Sequence, residues 1–192
     1  MTPLRDSLAR ATAALDDLGA RCALVGGLAV SVRTEPRFTR DIDLAVAVDN
    51  DEEAQALVRE LRAKGFQATG HLEQKATGRL ATVRLTEAGA SAPVVDLLFA
   101  STGIEREIVD AAEELEALPG LTIPVARVPH LLALKVLARD DRARPQDLGD
   151  ARALLERAEP RDLDEVRRLL GLIAARGFAR GRDLNAELER LL

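Results

Sequence analysis

Two aspartates one residue apart, Asp41 and Asp43, open the run Asp41-Ile42-Asp43-Leu44-Ala45-Val46, and a third stands in Val94-Val95-Asp96-Leu97-Leu98-Phe99. Side chains alternate faces along a strand, so Asp41 and Asp43 point the same way with Cα atoms about 6.5 Å apart. That spacing suits carboxylates that clamp a divalent cation. Two cations about 3.5 to 4 Å apart, stabilising the attacking and leaving oxygens of a phosphoryl displacement, need several acids converging on one point. Asp96 is the candidate third ligand. An ionised carboxylate in so apolar a strand pays a desolvation cost, which a bound cation relieves, as does a solvated strand face or an arginine partner.

The rest of the composition narrows the metal. Cys22 is the only cysteine, so no internal disulfide forms, and with only His71 and His130 beside it a zinc site is improbable. Oxygen ligands alone favour a hard cation, magnesium or manganese. Some fifteen residues ahead of the paired acids lies Gly26-Gly27, whose backbone N–H groups and following helix can receive a polyphosphate, or which can be an ordinary tight turn. Arg33, Arg37 and Arg40 flank the region; guanidinium suits bidentate phosphate contact, while solvent exposure is the commoner fate of a loop arginine.

The elements that must position these groups are legible from periodicity. Residues 4–18 space Leu4, Leu8, Ala11 and Leu15 as a helix that stops at Gly19. Cys22 to Gly27 reads as a short buried strand ending in a turn, and Leu28 to Arg33 as a short helix. Asp41 to Val48 is a strand with Ile42, Leu44, Val46 and Val48 on one face and the acids on the other. An amphipathic helix closes on Gly65, and strands are expected at 66–72, 79–85 and 93–100. Residues 103–118 look helical, 121–128 extended, and everything from Pro129 onward helical. The expected fold is α/β (α+β): a mixed sheet core over residues 1–118 and a helical C-terminal subdomain over 119–192.

Together Val25-Gly26-Gly27-Leu28-Ala29-Val30, Arg33, Thr39-Arg40-Asp41-Ile42-Asp43-Leu44 and Val95-Asp96-Leu97 resemble the nucleotidyltransferase superfamily with the DNA polymerase β-like fold. The Gly-Gly form with Arg and Thr before Asp-x-Asp is most similar to AbiEii-type toxins and small antibiotic nucleotidyltransferases. Many members have Gly-Ser at the turn, where Ser meets a phosphate; with Gly27 here, backbone donors must do more. The stretch Lys135 to Asp150 also resembles the AbiEii pattern of Lys, Arg and a downstream Asp-x-x-Asp, here Asp147-Leu148-Gly149-Asp150. By that resemblance Lys135 meets the triphosphate or the substrate and Asp147 orients it, although a snorkelling lysine and an i,i+3 acid pair would look the same. Arg33 and Arg40 rank above Arg37 on the same pattern.

The implied reaction is magnesium-dependent transfer of a nucleoside monophosphate from a nucleoside triphosphate to an acceptor hydroxyl, with Asp96 also able to take the acceptor proton. The resemblance favours a toxin acting on RNA or protein, with an antitoxin protein as partner, over an antibiotic-modifying enzyme acting on a small molecule. A phosphohydrolase using the same acids, or a degenerate module that binds nucleotide or a partner without catalysis, are the rivals. The formal net charge of −5 and the absence of Trp and Tyr give no general affinity for nucleic acid. Local basic clusters stand at 139–144 and 176–182. Asp6, Asp16 and Asp17 rule the first twenty residues out as a signal peptide or membrane span, so a cytoplasmic protein without membrane contact is expected.

Overall fold

The computed structural model describes residues 3–73, 78–87, 93–139 and 145–192. In chain order the elements are α1 (Pro3–Asp17), β1 (Cys22–Val25), α2 (Gly26–Arg33), β2 (Ile42–Val46), α3 (Asp51–Ala63), β3 (Phe66–Glu73), β4 (Leu80–Glu87) and β5 (Val95–Leu98). They continue with α4 (Glu105–Asp110), β6 (Glu113–Leu118), β7 (Leu121–Val125), α5 (Val128–Ala138), α6 (Pro145–Leu155), α7 (Pro160–Ala175) and α8 (Leu184–Glu189). The strands form one mixed sheet in the order β3-β4-β5-β2-β1-β7-β6, with β2 parallel to β5 and β1 parallel to β7. The expected mixed α/β fold is what forms.

The apolar positions explain the order. Ile42, Leu44, Ala45 and Val46 of β2 and Val95 and Leu97 of β5 are buried at the centre of the sheet, and Leu8 and Leu15 of α1 join the same core. α3 begins where Asn50 accepts from the Glu53 amide at 2.9 Å while the Glu53 side chain accepts from the Asp49 amide at 2.7 Å. This reciprocal capping fixes its start.

One expectation is corrected. Residues 113–118 form β6 rather than prolonging a helix from 103; only Glu105–Asp110 is helical in that stretch. Leu115 and Ala117 point inward at a period of two, and Leu115 pairs with Ile123 across the hairpin, while the register shifts at Ala117. Burial against β7 outweighs the helix propensity of its Glu, Ala and Leu. Residues 121–125, expected to be extended, form β7 and belong to the sheet: Leu24 pairs with Val125, the Ala126 amide donates to the Leu24 carbonyl at 3.0 Å, and the run of helices begins at Val128.

α5 is apolar all round, with Leu131, Leu132, Ala133, Val136 and Leu137 buried, and it packs against α2, α6, α7 and α8. A helix of that composition must be covered on every side. Of the basic stretch 139–144, residues 140–144 lie outside the described residues. In the second stretch, Arg176 pairs with Glu107 at 2.6 Å, and Arg182 donates to the Leu137 and Val136 carbonyls at 2.8 and 3.0 Å. Both tie elements together instead of lining a groove. Among the described residues no helix is long and apolar enough to cross a membrane.

Candidate active site

β1 passes into α2 with no intervening loop, and the junction is Gly26, whose φ is +66°. A side chain is disfavoured there by the backbone alone. It is also excluded by space: a Cβ on Gly26 would lie 1.9 Å from a carboxylate oxygen of Asp43. The turn and the second acid are thus in direct contact, as the pairing of Val25 with Asp43 requires. Val25 stands at the N-cap of α2 and supplies no side-chain cap, so the first amides of the helix are left for an anion.

Asp43 and Asp96 are direct partners on the adjacent parallel strands β2 and β5, and Arg84 on β4 is the direct partner of Asp96. One row across the sheet therefore reads Arg84, Asp96, Asp43, and then the turn. Arg84 donates from Nε to Asp96 Oδ1 at 2.9 Å and from Nη2 to Oδ2 at 2.7 Å. Asp96 is 13% exposed in its side chain, so the arginine partner considered for it is the arrangement found here. Arg84 is held more firmly protonated than usual, first by its hydrogen bonds to Asp96, then by the charges of Asp96, Asp41 and Asp43. Asp41, just ahead of β2, is exposed.

The donors suit a hard cation, being carboxylates on neighbouring strands. Among the described residues, however, no three acids stand close enough together to form a metal-binding group. Arg84 supplies the positive charge that adjacent carboxylates demand.

The other predicted residues divide. Gly27 packs under Arg37: a Cβ there would lie 2.6 Å from an Arg37 guanidinium nitrogen. Arg37 in turn donates to Asp150 at 2.7 Å, and Lys135 lies 2.7 Å from both Asp147 and Asp150. Lys135 and Asp147 are thereby brought to the turn through Asp150 and Arg37. Arg33 is directed elsewhere, donating to the Ala126 and Val125 carbonyls at 2.9 and 3.0 Å and to Glu113 at 2.7 Å. It fastens the end of α2 to the β6–β7 hairpin. Arg40 is exposed and lies over the Phe38 ring, 5.3 Å from its centroid. Arg37, Phe38, Arg40 and Asp41 line a cavity of about 1010 Å³ with apolar walls that include Leu28 and Val32.

Sequence comparison matches residues 7–192 to the family described as "Nucleotidyl transferase AbiEii toxin, Type IV TA system". The chain belongs to this family. It is an AbiEii nucleotidyltransferase, and the resemblance read from Gly26-Gly27, Asp41-x-Asp43 and Asp96 holds over nearly the whole length. No curated protein matches by sequence. Among solved structures, an antigenic nucleotidyltransferase-like protein from Paracoccidioides brasiliensis is similar at a TM-score of 0.53 and 19% identity, covering 95% of this chain and 91% of that one. ANT(2")-Ia, in complex with adenylyl-2"-tobramycin, is similar at 0.57 and 16% identity, covering 86% and 93%. The lincosamide antibiotic adenylyltransferase LnuA, lincomycin-bound, is similar at 0.51 and 14% identity, covering 80% and 97%. At these identities the likeness establishes the shared fold.

For this AbiEii chain the sequence reading missed Arg84 altogether and ranked Arg37 last. A signal for Arg84 exists: Ala81, Val83 and Leu85 are buried at a period of two, so Arg84 falls on the opposite face of β4. A charged residue on a central strand asks for a partner, and strand register alone tells which.

Proposed function

We propose that this AbiEii chain transfers a nucleoside monophosphate from a nucleoside triphosphate to an acceptor hydroxyl, as the toxin of a toxin–antitoxin pair whose antitoxin is a protein. The reading is carried by one observation: Asp43 and Asp96 stand side by side, with Asp43 against the uncapped start of α2. Asp43 and Asp96, neighbours on adjacent strands, would hold magnesium or manganese once the exposed Asp41 turns in beside them, and the cation would supply charge neutralisation for the triphosphate and for the attacking and leaving oxygens. The amides of Gly26 and Gly27 bind the phosphate oxygens, and Arg37 adds charge beside them. The acceptor oxygen forms a bond to the α-phosphorus while the bond to the bridging oxygen breaks. Pyrophosphate leaves, and the acceptor proton passes to Asp96.

RNA or protein is the preferred acceptor, on membership of a toxin family. A small-molecule acceptor is favoured by a separate observation, the apolar cavity that opens beside Asp41. Each α-labelled triphosphate, incubated with the protein and fractionated cell extract, separates the two by where the label goes. Induction in cells gives a second readout: the wild type arrests growth and Asp43→Asn does not. Unimpaired growth with acid-dependent drug tolerance would reverse the preference, and triphosphate breakdown without any labelled acceptor would replace transfer by hydrolysis.

A further inference from the structure

The side chains at the α5–α6 contact form a chain of alternating charge that ends at the phosphate turn. Asp147 and Asp150, three residues apart on α6, face Lys135 of α5, whose Nζ lies 2.7 Å from Asp147 Oδ1 and 2.7 Å from Asp150 Oδ2. The same Asp150 oxygen accepts from Arg37 Nη2 at 2.7 Å. Exposure rises only at the far end: Asp147 and Asp150 are about 5% exposed and Lys135 12%, while Arg37 is 34% exposed in its side chain. Lys135 is closed off between two carboxylates. Arg37 still has N–H donors to offer, since its fork of five gives one to Asp150 and one to the Phe38 carbonyl.

From this we infer that Arg37 is the cation that touches the triphosphate at Gly26–Gly27, and that Lys135, Asp147 and Asp150 are positioning residues that hold it there. Lys135 and Arg37 together neutralise the acid pair so that Asp150 can sit buried, and Asp150 fixes the guanidinium over Gly27. A buried, net-neutral ion cluster of this kind adds little to stability over an apolar replacement, but it specifies one geometry. The helical part thereby completes the phosphate site without sending a side chain into it. This inference rests on the reading of the turn as a triphosphate site.

The epistasis of substitutions separates this from direct contact by Lys135. The probe is inorganic tripolyphosphate with magnesium, which carries the charge and selects no base, titrated calorimetrically into the full chain. Arg37→Gln should weaken binding about tenfold. Asp150→Asn should also weaken it, although removing a negative charge near a phosphate would strengthen binding if the acid had no positioning role. The Arg37→Gln/Asp150→Asn double variant should bind no more weakly than Arg37→Gln alone. Lys135→Met should follow Asp150→Asn, and if it fails to fold the asparagine variant decides. Tighter binding in Asp150→Asn, or losses that multiply in the double variant, would overturn the relay and leave the turn as the triphosphate site. Failure of the wild type to bind tripolyphosphate would overturn both.

Discussion

Arg84 on β4 lies directly opposite Asp96 on β5 and donates to both oxygens of its carboxylate, at 2.9 and 2.7 Å. The guanidinium thus uses one lone pair on each oxygen and leaves the other on each for a divalent cation. Asp43 is the neighbour of Asp96 on the other side, so the guanidinium brings positive charge to a pair of adjacent carboxylates.

Removing that arginine should make the site depend more on metal. In Arg84→Ala, the repulsion between Asp43 and Asp96 loses the countercharge of the guanidinium, so the unfolding temperature in chelator should fall below that of the wild type. Manganese should then raise it by more than it raises the wild type, since the cation takes over the neutralising role. Thermal unfolding of both proteins across a manganese titration measures this, and equal increments would reduce Arg84 to a surface ion pair.

Asp41→Asn and Asp43→Asn each remove a negative charge at nearly constant volume. Both should abolish nucleotide transfer while circular dichroism and unfolding temperature stay close to wild type, because Asp41 is exposed and Asp43 only partly buried. Wild-type transfer should stop in excess chelator. Full activity in either variant, or in chelator, is incompatible with carboxylate-held metal.

Gly26→Ala tests the contact between turn and acid. The backbone strain at positive φ costs about 1 to 2 kcal/mol, and the added Cβ must also displace the Asp43 carboxylate, which would lie 1.9 Å away. Transfer should drop by at least about a hundredfold. Gly19→Ala is the control, having φ +68° but nothing within 4 Å of the added carbon; it should lose only stability. Equal activities in the two variants would detach Asp43 from the turn.

His130 should contribute a pH dependence of stability. It lies buried in α5 with Nδ1 lacking a hydrogen-bond partner, and burial, against the opposing charge of Glu165, pushes its pKa down to about 4. Unfolded, it titrates near 6.5. Between those values the unfolded chain holds a proton that the folded chain does not, so stability falls as pH drops through about 6.5 and the loss levels off below about 4, at roughly 3 kcal/mol. Urea unfolding of wild type and His130→Leu at about pH 7 and about pH 5 reads this contribution together with its coupling to Glu165. The wild type should lose more stability than the variant between the two pH values, and equal losses would show that His130 already carries its proton in the fold.

What the sequence determined by itself is local. The alternation that puts Asp41 and Asp43 on one face of β2, the glycines that let β1 turn into α2, and the i,i+3 spacing of Asp147 and Asp150 are set by backbone periodicity within a few residues. Family membership was legible for the same reason, as these short motifs keep their order and spacing. Which residues then meet across the fold was decided by strand register and helix packing. Arg84 reaches Asp96 over twelve positions and Arg37 reaches Asp150 over 113, distances at which no periodicity operates. Arg33, ranked above Arg37 on pattern, turns to the carbonyls at the end of β7, because α2 ends against the β6–β7 hairpin and not at the turn. Residues 113–118 carry the composition of a helix and form β6 because β7 offers them a paired edge and a buried face. Tertiary contact overrides local preference where burial and strand pairing are worth more than the few tenths of a kcal/mol per residue that separate helix from strand propensity.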